Sequence, residues 1–195
     1  MVDISAAGNL SLANQVTLDG NYETIYPFQN KLFMGSTTGM YIYDITEPSA
    51  PVKQGAFAHV RTCDPVIADE GHAFVTLRSG TTCQGYTNEL DILDITNPGN
   101  PSLIKTYTLT NPRGLSKDGD LLFICDGKDG IKIYDAADIY KLKLIKTIAG
   151  FEANDVITLN GIAIVIATEG LYQIDYSDTN NIHQISKMLS NATGL

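Results

Sequence analysis

One short phrase recurs along this chain. Tyr41-Ile42-Tyr43-Asp44-Ile45-Thr46-Glu47-Pro48 returns as Asp91-Ile92-Leu93-Asp94-Ile95-Thr96-Asn97-Pro98, then as Lys132-Ile133-Tyr134-Asp135-Ala136-Ala137, and again as Tyr172-Gln173-Ile174-Asp175-Tyr176-Ser177. Val2-Asp3-Ile4-Ser5 reads as the tail of one more copy. Between Asp3, Asp44, Asp94, Asp135 and Asp175 the steps are 41, 50, 41 and 40 residues, a period near 40 with one insertion of about ten. A unit of this size is one supersecondary module that cannot bury its apolar face alone and must stack on its neighbours.

Each unit has the same internal grammar. A short strand at Ile25–Phe28 precedes a polar turn at Gln29-Asn30. An apolar strand follows at Leu32–Gly35, then a turn at Thr38-Gly39, the recurring phrase at Met40–Ile45, a Pro-rich turn at Glu47–Pro51 and an outer strand at Val52–Phe57. The third unit repeats it as Gly114–Ser116, Leu121–Cys125, Ile131–Tyr134 and Leu144–Ile148. Short runs rich in Ile, Val, Tyr and Phe, bounded by Gly, Pro, Asn and Asp, form strands. No sustained helical period occurs, so at most one turn is expected, at Ala136–Tyr140. The fold class is therefore all-β, a β-propeller of four-stranded antiparallel blades. Its blades fall at about 21–59, 60–109, 110–149 and 150–189, with 1–20 the end of a preceding blade that supplies an outer strand at Leu10–Leu18. Blade four is expected to close with an outer strand at Ile182–Leu189. Closed rings have roughly 4–8 blades. The chain is thus expected to be part of a larger propeller, or to self-associate to complete one.

The pattern apolar-x-apolar-Asp-Ile-Thr/Ser-x-Pro-x-x-Pro, carried by Met40–Pro51, Leu90–Pro101, Ile131–Asp138 and Leu171–Asp178, resembles the LVIVD-repeat β-propellers. The last two units depart from it, having no proline after Asp135 or Asp175. The resemblance implies a bacterial protein, often secreted or held at the cell surface by a lipid anchor upstream, with no assigned reaction. The absence of tryptophan argues against WD40 repeats.

Composition narrows the partners. Among 195 residues, 44% are hydrophobic and the net charge is −9. So apolar a chain folds rather than staying disordered. Its negative charge opposes the phosphate backbone, so nucleic acid is not an expected partner. No apolar run of about 18 residues offers a membrane span, and Met1-Val2-Asp3-Ile4-Ser5 is not a signal peptide.

Cys63 lies in the loop leading into the first strand of blade two, and Cys83 in the insertion Ser79–Glu89 between its second and third strands. An up-down-up-down blade brings these two loops to one rim, where a disulfide is geometrically feasible. The alternative is two free thiols in a reducing compartment. A bridge would pin a polar loop and favour an extracellular, cell-surface or periplasmic location. Cys125, ending an apolar strand, reads as a small buried hydrophobe.

Counting ten residues back from Phe33, Phe74, Phe123 and Val165 gives Glu23, Asp64, Arg113 and Asp155, at the start of the innermost strand of each blade. Arg61, Asn111 and Asn154 lie close by. Such a ring at a channel mouth would bind a ligand or ion, with Arg113 clamping an anion. The same residues would equally hold neighbouring blades in register. The repeating Asp44, Asp94, Asp135 and Asp175 stand on separate blades and read as turn-forming carboxylates, not metal ligands. Asp126-Gly127-Lys128-Asp129-Gly130 lacks the further carboxylates of a calcium loop and reads as a tight turn. His59, His72 and His183 have no zinc-ligand spacing. No catalytic residue, metal or cofactor is expected. Loops on a rigid scaffold commonly carry binding, so the leading expectation is a non-enzymatic module presenting one rim to a protein or glycan partner. Tyr86 in the insertion is the aromatic expected to touch it. The alternative is an enzyme or small-ligand binder at the channel mouth.

Overall fold

The computed structural model describes residues 2–3, 11–12, 15–18, 21–58, 65–80 and 86–190. The alternating and apolar runs become strands almost throughout, and among the described residues there is no helix. A two-stranded piece pairs β1 (Val2–Asp3) with β2 (Ser11–Leu12). Blade one holds β3 (Tyr22–Phe28), β4 (Lys31–Ser36), β5 (Gly39–Asp44) and β6 (Val52–Ala58). Blade two holds β7 (Val66–Ala68), β8 (His72–Leu77), β9 (Glu89–Asp94) and β10 (Ser102–Thr108). Blade three holds β11 (Leu115–Asp118), β12 (Leu121–Cys125), β13 (Ile131–Asp135) and β14 (Lys143–Ile148). Blade four holds β15 (Ala153–Leu159), β16 (Ile162–Ala167), β17 (Gly170–Asp175) and β18 (His183–Leu189). Every blade is an antiparallel sheet with strands in chain order, and the four sheets form a four-bladed β-propeller.

Two expectations need correction. Ala136–Tyr140 forms bends and a turn rather than a helical turn; Asp135 and Asp138 each accept a backbone N–H from two residues on, which holds the chain in Asx turns. Of the strand expected over Leu10–Leu18, the described residues place Ser11–Leu12 in a strand and 15–18 outside any strand.

The recurring aspartates explain how each blade turns its outer corner. Asp44, Asp94, Asp135 and Asp175 close β5, β9, β13 and β17, and each carboxylate accepts the N–H of Thr46, Thr96, Ala137 or Ser177 at 2.7–3.1 Å. Hydroxyls of Thr96 and Ser177 donate to the same oxygens. These bonds favour the ionised carboxylate, so Asp44, Asp94 and Asp175 all titrate below the ordinary aspartate value, the Thr or Ser side chain being the main cause.

Packing between blades follows one rule. Directly paired residues on neighbouring strands share a sheet face. One face therefore carries Phe33, Met40 and Ile42 in blade one, Phe74, Leu90 and Ile92 in blade two, and Phe123, Ile131 and Ile133 in blade three. All nine are buried. The first trio packs on Val66, Ala73 and Val75, the second on Leu115, Leu122 and Ile124, and the third on Val156, Ala163 and Val165. Each large side chain so buried contributes about 1.5–3 kcal/mol. Cys125 belongs to the third cluster and is fully buried; burial pushes its thiol pKa far up, which leaves it inert as a nucleophile.

Candidate functional site

The innermost strands β3, β7, β11 and β15 line a common channel of about 440 Å³. At one end it opens into a cavity of about 410 Å³ bordered by Glu23, Pro65, Arg78, Arg113, Asn154 and Asp155, among others. The sequence-derived residues Glu23, Arg113, Asn154 and Asp155 therefore do meet. Arg61, Asp64, Cys63 and Cys83 lie outside the described residues, as does His59.

The pairing register refines the equivalence among blades. Glu23 is the extra residue between the Tyr22–Ser36 and Thr24–Gly35 pairs of blade one, and Asn154 is its counterpart between Ala153–Ala167 and Asp155–Ile166. Asn154, and not Asp155, is thus the fourth-blade equivalent of Glu23 and Arg113. β-Bulges of this kind re-aim a side chain, here at the channel mouth. Asp155 instead lies against Gly114 of blade three, where a Cβ would come within 1.9 Å of its Oδ1.

Arg113 is held from both sides. Its carbonyl accepts the Thr76 hydroxyl of blade two at 2.7 Å, and its own N–H donates to Cys125 within blade three. Its guanidinium bonds Asn154 and, at 2.5 Å, Glu152. At the next residue, the Gly114 N–H donates to the Asn154 carbonyl at 2.9 Å. Arg113 therefore ties blades two, three and four together. Two of its guanidinium nitrogens are paired with Asn154 and Glu152 across the seam, while its buried Nε has no hydrogen-bond partner among the described residues.

Arg78 and Glu152 stand at positions that the repeat does not mark. Arg78 directly follows β8, at the head of the insertion, and faces Arg113 and Glu23. Burial pulls the Arg78 pKa below its ordinary value, Arg113 adds to that shift, and Glu23 opposes it. An arginine placed straight after an apolar strand, at the one loop that breaks the period, was the available signal. Tyr86, in the same loop, is 91% exposed.

The remaining polar clusters serve the fold. Asp126 is fully buried and accepts the N–H groups of Thr110 and Asn111, with Lys132 Nζ at 2.5 Å; Asp129 takes the Thr110 hydroxyl. Gly127 and Gly130 both have positive φ, so the segment is the tight turn expected. Lys117 in blade three reaches Asp69 beside blade two at 2.8 Å, and the Tyr176 hydroxyl of blade four donates to Asp118 at 2.6 Å. Among the described residues no three His, Cys, Asp or Glu side chains gather as a metal site.

A family model for the LVIVD repeat matches residues 85–109, which span the recurring phrase of blade two. No curated protein matches the chain. Similar solved structures include a Lactobacillus plantarum protein (TM-score 0.77, 13% identity over 97% of this chain) and the periplasmic gluconolactonase of Pseudomonas aeruginosa (TM-score 0.74, 13% identity over 98%). The chain spans 62% and 63% of those two proteins' lengths. A chain of the nidogen/laminin complex is also similar (TM-score 0.66, 12% identity), covering 94% of this chain and 69% of its own. At such identities the likeness is one of fold.

Proposed function

We propose that this LVIVD-repeat β-propeller is a non-enzymatic interaction module that works outside the cytoplasm and presents one rim to a protein or glycan partner. The observation that carries this reading is the placement of Tyr86. It is an aromatic side chain almost fully exposed on a loop that departs from the repeat period, above a scaffold whose blades are tightly packed. Exposed aromatics anchor interfaces because they bury a large area with few rotatable bonds. The family resemblance supports an extracytoplasmic home, and so would a disulfide between Cys63 and Cys83, which we propose braces that loop. A chain of similar fold occurs in the nidogen/laminin complex. The test is to screen the immobilised chain against a glycan array and a displayed peptide library. Capture should be lost in Tyr86→Ser and retained in Glu152→Gln, which alters only a blade seam. Capture indifferent to Tyr86→Ser contradicts the proposal.

A second reading is favoured by Arg78. The 410 Å³ mouth places it beside Glu23 with a lowered pKa, a setting that would take the carboxylate or hydroxyls of a small ligand. Gluconolactone and gluconate are suitable probes, given the fold likeness to a gluconolactonase. A rise in melting temperature with either, abolished by Arg78→Gln, would favour this reading over the rim.

A further inference from the structure

The channel mouth carries more charge than its seam uses. Arg113 is answered by Glu152 at 2.5 Å, and the Asn154 amide is taken up by Arg113 and the Thr168 hydroxyl. Three further charged side chains border the cavity, each from a different blade: Glu23 from blade one, Arg78 from blade two and Asp155 from blade four. Asp155 Oδ1 takes the Val156 N–H at 2.9 Å. Its Oδ2 and both Glu23 oxygens accept no hydrogen bond among the described residues. Since Arg113 and Glu152 cancel, the groups that face a ligand are one cation and two anions. Arg61 and Asp64, just before Pro65 in the sequence, bring one charge of each sign and leave that balance unaltered.

This balance selects among ligands. A simple anion meets two carboxylates there, and a simple cation meets Arg78. A molecule with groups of both signs complements the whole mouth. Burial weakens the Arg78 charge, and a bound carboxylate would restore what burial removes. Glu23 is the acid electrostatically coupled to Arg78, so it is the one placed to receive an ammonium close to that carboxylate. Asp155 is left for a second cationic group. Pro65 and Pro112 add apolar contact, and the cavity of about 410 Å³ is of small-molecule size.

We propose that the mouth binds a basic α-amino acid, its carboxylate on Arg78, its α-ammonium on Glu23 and its side-chain cation on Asp155. This rests on the reading of the mouth as a small-ligand site and names the ligand class. Arg78 engages the carboxylate through paired N–H donors, and each carboxylate of the protein gains the charged donor it lacks.

Titration of the ¹⁵N-labelled full chain tests it. The sequence has three arginines, so the Arg78 Nε–H resonance is identified by its loss in Arg78→Gln. Lysine should shift that resonance, with Nα-acetyl-lysine and lysinamide each binding about tenfold or more weakly. Glu23→Gln should reduce lysine to the level of Nα-acetyl-lysine, whose own binding stays unchanged. Asp155→Asn should remove the preference for lysine over norleucine. The comparison of probes on the unaltered chain decides the matter where a variant loses its far-ultraviolet circular dichroism. Nα-acetyl-lysine binding as tightly as lysine, or gluconate binding more tightly, overturns the proposal and leaves an anion site at the mouth. No shift with lysine, Nα-acetyl-lysine or gluconate overturns both.

Discussion

Arg113 in blade three lies 2.5 Å from Glu152 at the start of blade four, and this pair closes a seam that apolar packing closes only on the inside. Both side chains are mostly shielded, so the interaction is worth more than a surface ion pair. Removing one partner also leaves the other charge poorly solvated. Arg113→Met should therefore lower unfolding stability by about 2 kcal/mol, and Glu152→Gln by less. Denaturant unfolding of both single variants and the double variant measures the coupling. Additive losses would mean that the two residues do not act together.

Gly114 meets the same seam from the other side. A Cβ there would overlap Asp155 Oδ1 at 1.9 Å and the Asp155 Cα at 2.8 Å, so the neighbouring blade would have to move. Gly114→Ala should cost about 1–3 kcal/mol. Adding Asp155→Ala should recover only part of this, because the backbone contact remains. The measurement is again the denaturant midpoint, and an unchanged midpoint in Gly114→Ala would show the seam to be looser than described.

The period, the strands and the turn chemistry were legible because each has a local cause. Asp94 must accept the Thr96 N–H wherever the chain turns as it does, and so the aspartate marks every blade. The register of blade four was not legible. In blades one to three a phenylalanine (Phe33, Phe74, Phe123) marks the buried face, but β16 reads Ile162-Ala163-Ile164-Val165-Ile166-Ala167, apolar on both sides. With no alternation to set the phase, the sequence pattern aligns Val165 with Phe123, one residue off, and so puts Asp155 where Asn154 stands. Arg78 and Glu152 were illegible for a different reason. Their roles depend on which loops meet across seams, and no single repeat encodes that.

The turn aspartates set an acid limit. Asp44, Asp94 and Asp175 have folded pKa values below their unfolded ones. Between the two values the unfolded chain binds more protons, so acidification favours unfolding. Their contribution is complete above the unfolded value of about 3.9 and is lost as pH falls through the lowered folded values. Melting temperature should therefore drop on going below about pH 4. Asp44→Asn, Asp94→Asn and Asp175→Asn together should flatten that slope while lowering stability at neutral pH. A slope unchanged by the triple variant would assign acid sensitivity elsewhere.

Thiol reactivity separates the three cysteines. Cys125, buried with a raised pKa, should stay unlabelled by an aromatic disulfide reagent until the chain unfolds. If Cys63 and Cys83 are bridged as proposed, the native chain shows no reactive thiol before reduction and two after it. Two thiols reacting without a reductant would contradict the bridge, and with it one support for an extracytoplasmic home.

The most direct measurement compares one position across all four blades. Phe33, Phe74 and Phe123 are buried in successive seams, and Ile164 is their register equivalent in blade four, where it is 38% exposed. Truncated singly to alanine and unfolded in denaturant, the three phenylalanines should each cost about 3–5 kcal/mol. Ile164→Ala should cost less than about 1 kcal/mol, since surface substitutions change little. Four similar losses, or a small loss at any of the three phenylalanines, would contradict blades stacked in this order with Ile164 outside the seams.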